Sequence, residues 1–429
     1  MHLSLSRCSQ AACFSAALLL AGELSFAADS ANWPQWRGPH DTGSTTAGKY
    51  PTKLDESQML WKVALPGKGC STPIVWNQRV YLTAPIDGED ALLALDWSGN
   101  KLWHTALGQE TPGRHRNGSG SNPSPVTDGK IIFVSFKSGN IGAVDVSGKR
   151  LWQTNLTEKF GPVKLNWDHG TSPALTEKNV IIARLHQGES WVAAFDKQTG
   201  EMRWKTPRNY ETPRECDNGY TTPMVIRHEG RESVLIWGGQ HLTIHDASDG
   251  KLLWSCGNFN PADIPNVPAI SNPVIAGGVV LVSFGRADRG TGGMHGIKLG
   301  GKGDVTATNR IWQRTDTGAF VPTPAVYQGK VYLLSDRGQV DCLDPATGRT
   351  LWSEALPRGA QNYYASPMIA DGILYAARED GTVFVVSVKD GFKLLGENKI
   401  SDRLIASFVP VADRLFVRGE KHLYCLAAR

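Results

Sequence analysis

Polar loops hold most of the residues that could bind a ligand or do chemistry in this sequence. They occur in the segments GQETPGRHRNGSGSN, KLNWDHG, PRECDNGY and GRADRGTGG. Arginines beside carboxylates and an aromatic ring could hold an anionic planar ligand or a carbohydrate. The alternative is a solvated rim whose charges pair with one another. The candidates for a binding face are Arg114, His115, Arg116, Asn166, Trp167, Asp168, His169, Arg214, Asp217, Tyr220 and Arg286.

The same loops give little support for catalysis or for a bound metal. No Gly-x-Ser-x-Gly nucleophile turn occurs, and Asp168 and Asp217 are candidate bases by location alone. His241 and His245 would lie about 13 Å apart along a strand, too far to share one ion. Asp168 with Asn166 could supply oxygens to Ca²⁺. The sequence therefore assigns no catalytic residue and no metal site.

A repeat that ends in tryptophan reveals the elements that must position these loops. AFDKQTGEMRW, residues 194–204, has relatives in ALDWSGNKLW, AVDVSGKRLW, IHDASDGKLLW and CLDPATGRTLW. Each combines a strand end, an Asp, a Gly-containing turn and a second strand, the pattern of a β-hairpin. A period of about 40 to 50 residues with four strands per unit predicts propeller blades. The tryptophans are Trp61, Trp103, Trp152, Trp204, Trp254, Trp312 and Trp352, and Leu395 takes the remaining place.

A second landmark is a proline, usually after Ser or Thr, that opens each unit. The prolines are Pro73, Pro125, Pro173, Pro223, Pro273, Pro324, Pro367 and Pro410. The apolar runs that follow do not alternate, as expected for sheets covered on both sides. We therefore predict an all-β, eight-bladed β-propeller in which residues 58–65 complete the last blade and close the ring. The predicted domains are a signal peptide at 1–28, an extension packing on the propeller at 29–57, and the propeller at 58–429.

The loops that enter blades two to five are longer than the other entering loops. In a propeller these connections lie on one face, around the same channel mouth as the loops between second and third strands. Long loops on a rigid scaffold commonly carry binding sites. We therefore expect the binding face on this side of the ring.

Composition and the first residues indicate an exported protein. Residues 1–28 place His2 and Arg7 before an apolar segment and small residues up to Ala28, the pattern of a signal peptide. The apolar part is shorter than the about 20 residues that span a bilayer, and no lipid-attachment box follows it. The 45 basic and 41 acidic side chains leave a net charge of +4, too small for a nucleic-acid footprint. We expect a periplasmic or secreted monomer with no membrane span.

The repeats resemble the pyrroloquinoline quinone (PQQ) repeat family. Its tryptophan-docking motif, Ala-x-Asp-x-x-Thr-Gly-x-x-x-Trp, is matched by AFDKQTGEMRW, and CLDPATGRTLW departs from it only at Cys342. The WPQWRGP opening is similar to that of exported PQQ-repeat-like propellers of bacteria such as planctomycetes. The resemblance implies that the repeat tryptophans, Trp61 included, dock blade against blade.

Two branches of that family imply different functions. Quinoprotein alcohol dehydrogenases hold PQQ and Ca²⁺ in the ring, commonly under a disulfide between adjacent cysteines, and this sequence has no Cys-Cys pair. The propeller lipoprotein of the outer-membrane protein assembly machinery keeps the repeats without the cofactor. We predict a non-catalytic exported binding or scaffold protein, without a cofactor, for a protein or polymer partner in the cell envelope. The alternative is a PQQ- and Ca²⁺-dependent dehydrogenase of alcohols or sugars.

Overall fold

Eight antiparallel sheets surround a central channel in the computed structural model, which describes residues 31–428. The inner strands of each sheet are buried on both faces, as in Ile131–Ser135, because each blade packs between two neighbours. The outermost strand alternates between half-buried and exposed residues, as in Met59–Ala64. The predicted all-β, eight-bladed propeller is confirmed.

Each blade runs from an innermost strand to an outermost one in chain order, apart from the last blade. The strands of blades one to four are Ile74–Trp76, Arg79–Ile86, Glu89–Leu95 and Lys101–Gln109; Val126–Thr127, Ile131–Ser135, Asn140–Asp145 and Arg150–Asn155; Ala174–Leu175, Asn179–Arg184, Trp191–Asp196 and Met202–Pro207; Met224–His228, Arg231–Gly238, His241–Asp246 and Leu252–Cys256.

The remaining blades repeat this order, and helices are short. The strands of blades five to eight are Val274–Ala276, Val279–Arg286, Thr291–Lys298 and Arg310–Arg314; Ala325–Tyr327, Lys330–Leu334, Gln339–Leu343 and Thr350–Ala355; Met368–Ala370, Ile373–Ala377, Thr382–Ser387 and Lys393–Lys399; Val409–Val411, Arg414–Arg418, His422–Ala427 and Met59–Ala64. Ser44–Thr45 adds a parallel strand to blade seven, and Gly303–Asp304 adds one to blade four. The helical turns are Glu56–Gln58, Leu156–Phe160, Ala287–Arg289 and Thr306–Asn309.

The turn between third and fourth strands explains why the repeat contains Asp and Gly. In blade three, Oδ1 of Asp196 accepts the backbone N–H groups of Gln198 and Thr199 at 2.9 and 3.0 Å. Gly200 has a φ of 71°, in the left-handed region that favours glycine. The outer strand then carries one extra residue, a bulge that directs Trp204 toward blade four.

The repeat tryptophans lie at the joints between blades. Trp152 of blade two donates its indole N–H to the carbonyl of Lys197 in blade three at 2.8 Å. A Cβ atom on Gly200 would lie 2.5 Å from the Trp152 ring, so the ring packs against the glycine backbone. The same close approach joins Trp61 to Gly99, Trp103 to Gly148, Trp204 to Gly250 and Trp312 to Gly348.

Two tryptophans meet the next blade differently. Trp254 is fully buried and donates its indole N–H to the carbonyl of Gly300 at 2.9 Å. Trp352 contacts the ring of Phe392, with centroids 5.7 Å apart. The joints after blades four and six therefore lack the tight ring-on-glycine contact of the five joints described above.

Two landmark assignments were wrong by one or two residues. In blade seven Gly396 pairs with Val385 at the position that the tryptophan holds in other blades. Leu395 is instead the extra residue of the bulge and is 39% exposed. In blade eight Phe408 stands where other blades have the opening proline, because Pro410 already lies inside the first strand. Glycine replaces one landmark and phenylalanine replaces the other, so spacing alone misaligned them.

The predicted closure of the ring is confirmed. Met59–Ala64 pairs antiparallel with His422–Ala427, so the chain's first long strand becomes the outermost strand of blade eight. Trp61 lies opposite Cys425 in this pair. Joining the two ends of the chain in one sheet removes the open edge between the first and last blades.

Residues 31–57 cross one face of the ring. The carbonyl of Pro34 accepts the N–H of Thr127 in blade two at 2.9 Å, and the carbonyl of Thr42 accepts the N–H of Val326 in blade six at 2.8 Å. Between them the buried Arg37 donates to proline carbonyls of blades six and seven at 3.0 Å. Residues 1–28, the predicted signal peptide, lie outside the described residues, and the boundary at residues 57 and 58 stays a prediction.

Candidate binding site at the channel and its mouth

A ring of polar residues encircles the channel where the first strand of each blade begins. We call it the collar; its members are Thr72, Ser124, Ser172, Thr222, Asn272, Thr323, Ser366 and Ser407. The backbone N–H of Ser407 in blade eight donates to Oγ1 of Thr72 in blade one at 3.2 Å. The same link continues through successive blades to Ser366 in blade seven, at 2.8 to 3.1 Å. The collar thus ties neighbouring blades together at the axis.

The collar surrounds a cavity of about 390 Å³. We call the face formed by residues 110–124, 161–172 and 208–222 the mouth, and the face crossed by residues 31–57 the floor. At the mouth the cavity is lined by His115, Trp167 and Tyr220, and at the floor it is lined by Trp36. The extension therefore closes one end of the channel, while the long loops surround the other.

Asp168 organises the mouth. Its carboxylate, 1% exposed, lies 2.8 Å from Nζ of Lys137 and accepts the backbone N–H groups of Arg114 and His115 at 2.9 to 3.0 Å. Burial disfavours the charged form, but the bonds from Lys137 and these N–H groups outweigh it and hold the pKa of Asp168 below its ordinary value. A carboxylate with this many donors is suited to fixing a loop rather than to accepting a proton from a substrate.

Trp167 and His115 form the exposed centre of the mouth. Their rings are 4.4 Å apart, and Nε2 of His115 lies 3.0 Å from the carbonyl of Asn166. Trp167 is 50% exposed, although its backbone N–H donates to the hydroxyl of Tyr220 at 3.0 Å. Arg114 donates to the carbonyl of Leu165 at 2.8 Å. The loops entering blades two, three and four are therefore bonded to one another.

Arg116 links the loop that enters blade two to blade seven. Its guanidinium lies 3.0 Å from the buried carboxylate of Glu379, which also accepts a bond from Nε of Arg403 at 3.0 Å. Arg403 in turn bonds to the carbonyl of Arg116 and to Asn117. We call Arg116, Asn117, Glu379 and Arg403 the latch. It holds residues 114–117 over part of the cavity.

The structure brings only some of the predicted residues to the cavity. His115, Trp167, Asp168, Tyr220 and Arg286 line it. Arg286 lies over the ring of Phe320, 5.2 Å from its centroid.

Other predicted residues lie elsewhere on the mouth. Arg214 bonds to Asn266 at 3.1 Å, and Asp217 lines a separate pocket of about 120 Å³ beside His186. Burial raises the pKa of Asp217. His169 contributes its backbone carbonyl to the mouth, and burial lowers the pKa of its side chain to about 4.

The collar and the latch were not among the predicted site residues. The collar had a signal in the sequence, namely the Ser or Thr before most of the opening prolines. Glu379 and Arg403 had none, because they lie more than 250 residues from Arg116 in the chain. Their pairing depends on the closure of the ring.

The carboxylates and the cationic side chains that line the channel do not fit PQQ with Ca²⁺. Asp168 is already bonded by Lys137, and Asp336 accepts the backbone N–H groups of Phe320 and Val321 at 2.8 and 3.2 Å. The cavity lining, drawn from described residues, contains one arginine and no lysine to meet the three carboxylates of PQQ. Among residues 31–428 no three His, Cys, Asp or Glu side chains cluster as a metal site.

Comparisons with known proteins agree with this architecture. Outer membrane protein assembly factor BamB of Moranella endobia is 23% identical over 330 residues, covering 74% of this chain and 76% of that protein. The Yersinia pestis protein of the same name is 23% identical over 314 residues, covering 72% of each. In the part of the chain that the structure describes, no helix is both long and apolar enough to cross a bilayer.

Solved structures share the fold. BamB from Moraxella catarrhalis superposes with a TM-score of 0.61 at 13% identity, covering 86% of this chain and 97% of that one. A europium-containing methanol dehydrogenase gives a TM-score of 0.69 at 12% identity, covering 95% and 100%. At these identities the likeness extends to the fold alone. A family model described as outer membrane protein assembly factor BamB matches residues 52–226 and 239–394. The chain therefore belongs to this family of PQQ-repeat propellers.

Proposed function

We propose that this protein is a non-catalytic scaffold of the cell envelope that binds another protein through its mouth. Support comes first from its relatives, which are outer membrane protein assembly factors and align with it over about three quarters of its length. The predicted signal peptide and the family together support a location in the envelope. The proposal requires no cofactor and treats the protein as a monomer before it meets its partner.

The observation that carries the proposal is the exposed cluster at the centre of the mouth. Trp167 is 50% exposed and its ring lies against His115. The side chains of Arg114 and Arg116 beside it are 59% and 69% exposed. Trp and Arg are the side chains most often found at the energetic centre of protein interfaces. A partner with an acidic surface and an apolar pocket for the indole fits this cluster.

The floor offers a contrasting surface. Trp33 is 1% exposed and Arg37 is 2% exposed, because the extension buries its own large side chains against the ring. The floor therefore exposes fewer large side chains that a partner could contact. This difference favours the mouth.

The experiment is quantitative co-purification from an envelope extract, comparing the wild type with Trp167→Ala and with Arg116→Ala. We expect a partner that is lost with Trp167→Ala and reduced with Arg116→Ala. Leu102→Ala is the matched control, because Leu102 is 43% exposed on an outer strand far from the mouth. A partner that is retained by Trp167→Ala but lost with Leu102→Ala would show that the interface lies on the outermost strands of the blades.

A second measurement separates the scaffold from the dehydrogenase alternative. Purified protein is incubated with PQQ and Ca²⁺, and dye-linked oxidation of alcohols and sugars is followed. The proposal predicts no turnover above a buffer control. Saturable turnover would replace the proposed function with that of a quinoprotein enzyme.

A further inference from the structure

The collar presents hydroxyl groups that have an acceptor role but no donor role in the protein. Oγ of Ser124, Ser172 and Ser366 and Oγ1 of Thr72 and Thr222 each accept a backbone N–H. Among the described residues none of these O–H groups donates to a protein acceptor. All five residues line the cavity. Their hydrogens are therefore available to acceptor atoms in the channel.

Two further polar groups lack partners at the same cavity. Oδ1 of Asn362 is buried without a hydrogen bond within residues 31–428, and Asn362 belongs to the lining. Oγ of Ser407 forms no hydrogen bond to another described residue, and Ser407 also lines the cavity. The channel thus offers both donors and an acceptor that the fold does not use.

Aromatic rings accompany these polar groups. Trp36 lies at the floor, and Trp167 and Tyr220 lie at the mouth, with Phe320 and Tyr364 also in the lining. The C–H faces of a sugar ring pack on aromatic rings, while its hydroxyls donate and accept hydrogen bonds. A cavity of about 390 Å³ lies within the range of about 300 to 1,000 Å³ typical of small-ligand sites.

Charge further narrows the class of ligand. The lining, taken over the described residues, contains one cation, Arg286, which lies over the ring of Phe320, and two carboxylates, Asp168 and Asp336. Asp168 is paired with Lys137 and Asp336 accepts two backbone N–H groups, so cations do not outnumber carboxylates around the cavity. The collar itself is uncharged. A strongly anionic ligand would have to lose its hydration against neutral hydroxyls, which is unfavourable. A neutral ligand rich in hydroxyls does not have this cost.

We propose that the channel is a binding site for a neutral saccharide of one to three sugar units, held by the collar and by the aromatic rings at the two ends. The ligand enters from the mouth, because Trp36 and Arg37 close the floor. This site adjoins the proposed protein interface on the same face and shares Trp167 with it. Its occupant is a free oligosaccharide or the end of an envelope glycan, which share this chemistry.

The experiment is calorimetric titration of the purified chain with maltose, maltotriose and diacetylchitobiose, with tryptophan fluorescence as a second readout. We expect at least one sugar to bind with a Kd of about 1 mM or tighter. Ser407→Ala removes a hydroxyl from the channel, and this hydroxyl accepts no backbone N–H among the described residues. The variant should weaken sugar binding about fivefold. Ser172→Ala with Ser366→Ala should weaken it by about tenfold or more.

Ser233→Ala is the matched control, because Ser233 is a buried hydroxyl in blade four outside the channel lining. Its affinity for the sugar should equal that of the wild type. Sedimentation with insoluble chitin or amylose distinguishes a glycan end from a free sugar. The proposal is overturned if no sugar binds to the wild type, if Ser407→Ala and the double variant bind as the wild type does, or if PQQ binds in place of the sugars. Co-purification with Ser407→Ala, which keeps Trp167, tests the interface separately, because this variant should lose sugar affinity and retain the protein partner.

Discussion

In the belt, by which we mean the outer-strand tryptophans and the parts of the next blade that they contact, seven of the eight joints contain a tryptophan, whereas at the mouth the latch connects loops far apart in the chain. Trp152 packs on Gly200 in the adjacent repeat, and its indole N–H bonds to the same turn. Arg116 instead reaches Glu379, on the far side of the ring closure. The tryptophan joint recurs in seven of the eight blades, five times as a ring packed on glycine. The latch occurs once.

The two regions also differ in the forces that hold them. The belt packs tryptophan rings against the next blade, with Trp254 fully buried and the others half-buried, while the mouth relies on ion pairs and hydrogen bonds near solvent. Arg116 is 69% exposed, so its pair with Glu379 contributes about 0 to 1 kcal/mol. The belt should therefore set the stability of the ring, and the mouth should be able to vary without unfolding it.

The largest expected effect is at the belt. Trp254→Ala removes a fully buried ring and its bond to Gly300, and it should lower the free energy of unfolding by about 3 to 5 kcal/mol. Chemical denaturation measures this. Trp167→Ala, at the mouth, should change the same quantity by less than about 0.5 kcal/mol. Equal losses for the two variants would show that the belt and the mouth do not differ in the way described.

Acid should also act through histidines whose pKa is lowered by burial, in the blades at His245 and His295 and at the mouth at His169. His245 and His295 are each 1% exposed, and burial lowers their pKa values to about 4 and about 3. Because the unfolded chain binds these protons near pH 6.5, stability is full above that pH and is lost as the pH falls toward the folded pKa values. We expect a loss of about 2 kcal/mol per histidine between pH 7 and pH 5.

Melting at a series of pH values measures this loss, and His295→Gln should flatten the curve. A control is Leu102→Ala on an exposed outer strand, which removes no titratable group and should leave the slope unchanged. A wild-type melting temperature that stays constant from pH 7 to pH 5 would contradict a burial cost for these histidines.

The fold was predictable because the repeat motif is local. The Asp, Gly and Trp of AFDKQTGEMRW lie within eleven residues, so one strand pair of each blade, its turn and its contribution to the joints with both neighbouring blades are visible together. The closure was predictable from one unused strand. The errors at Leu395 and Pro410 arose where Gly396 and Phe408 stand in place of the landmark residues.

The site was predictable only in part. Loop length placed His115, Trp167 and Tyr220 at the mouth, and the structure brings them to one cavity. The partners of the charged residues depend on which blades face one another across the channel. That arrangement follows from ring closure, which spacing within a repeat does not encode, so Glu379 and Arg403 had no signal.

Substituting a glycine at a joint between blades should cause an intermediate loss in the free energy of unfolding. Gly200→Ala places a methyl group 2.5 Å from the Trp152 ring at a φ of 71°, so it should cost about 2 to 3 kcal/mol. Gly277→Ala has a similar φ of 58° with open space around it, so only the backbone cost of about 1 to 2 kcal/mol remains. Denaturant midpoints of the two variants give the difference. Equal midpoints would show that the Trp152 side chain moves away from the added methyl group without a measurable loss of stability.

A smaller effect than at the joints should come from the carboxylate that organises the mouth. Asp168→Asn weakens its interaction with Lys137 and the N–H bonds from Arg114 and His115, and should cost about 1 to 2 kcal/mol at pH 7. Since the folded pKa of Asp168 is lowered, this contribution is present above the ordinary value of 3.8 and is lost as the pH falls through the folded pKa.

Hydrogen exchange shows where this loss occurs. Amide protection should fall at residues 114 and 115, while Phe133 in a buried strand of blade two keeps its protection. Arg116→Ala provides the comparison within the mouth, because it removes an exposed side chain and should cost less than about 0.5 kcal/mol. If Asp168→Asn also exposes the amide of Phe133, the mouth and the blades unfold together. The mouth would then be part of the same cooperative unit as the belt, and a partner bound there would stabilise the whole ring.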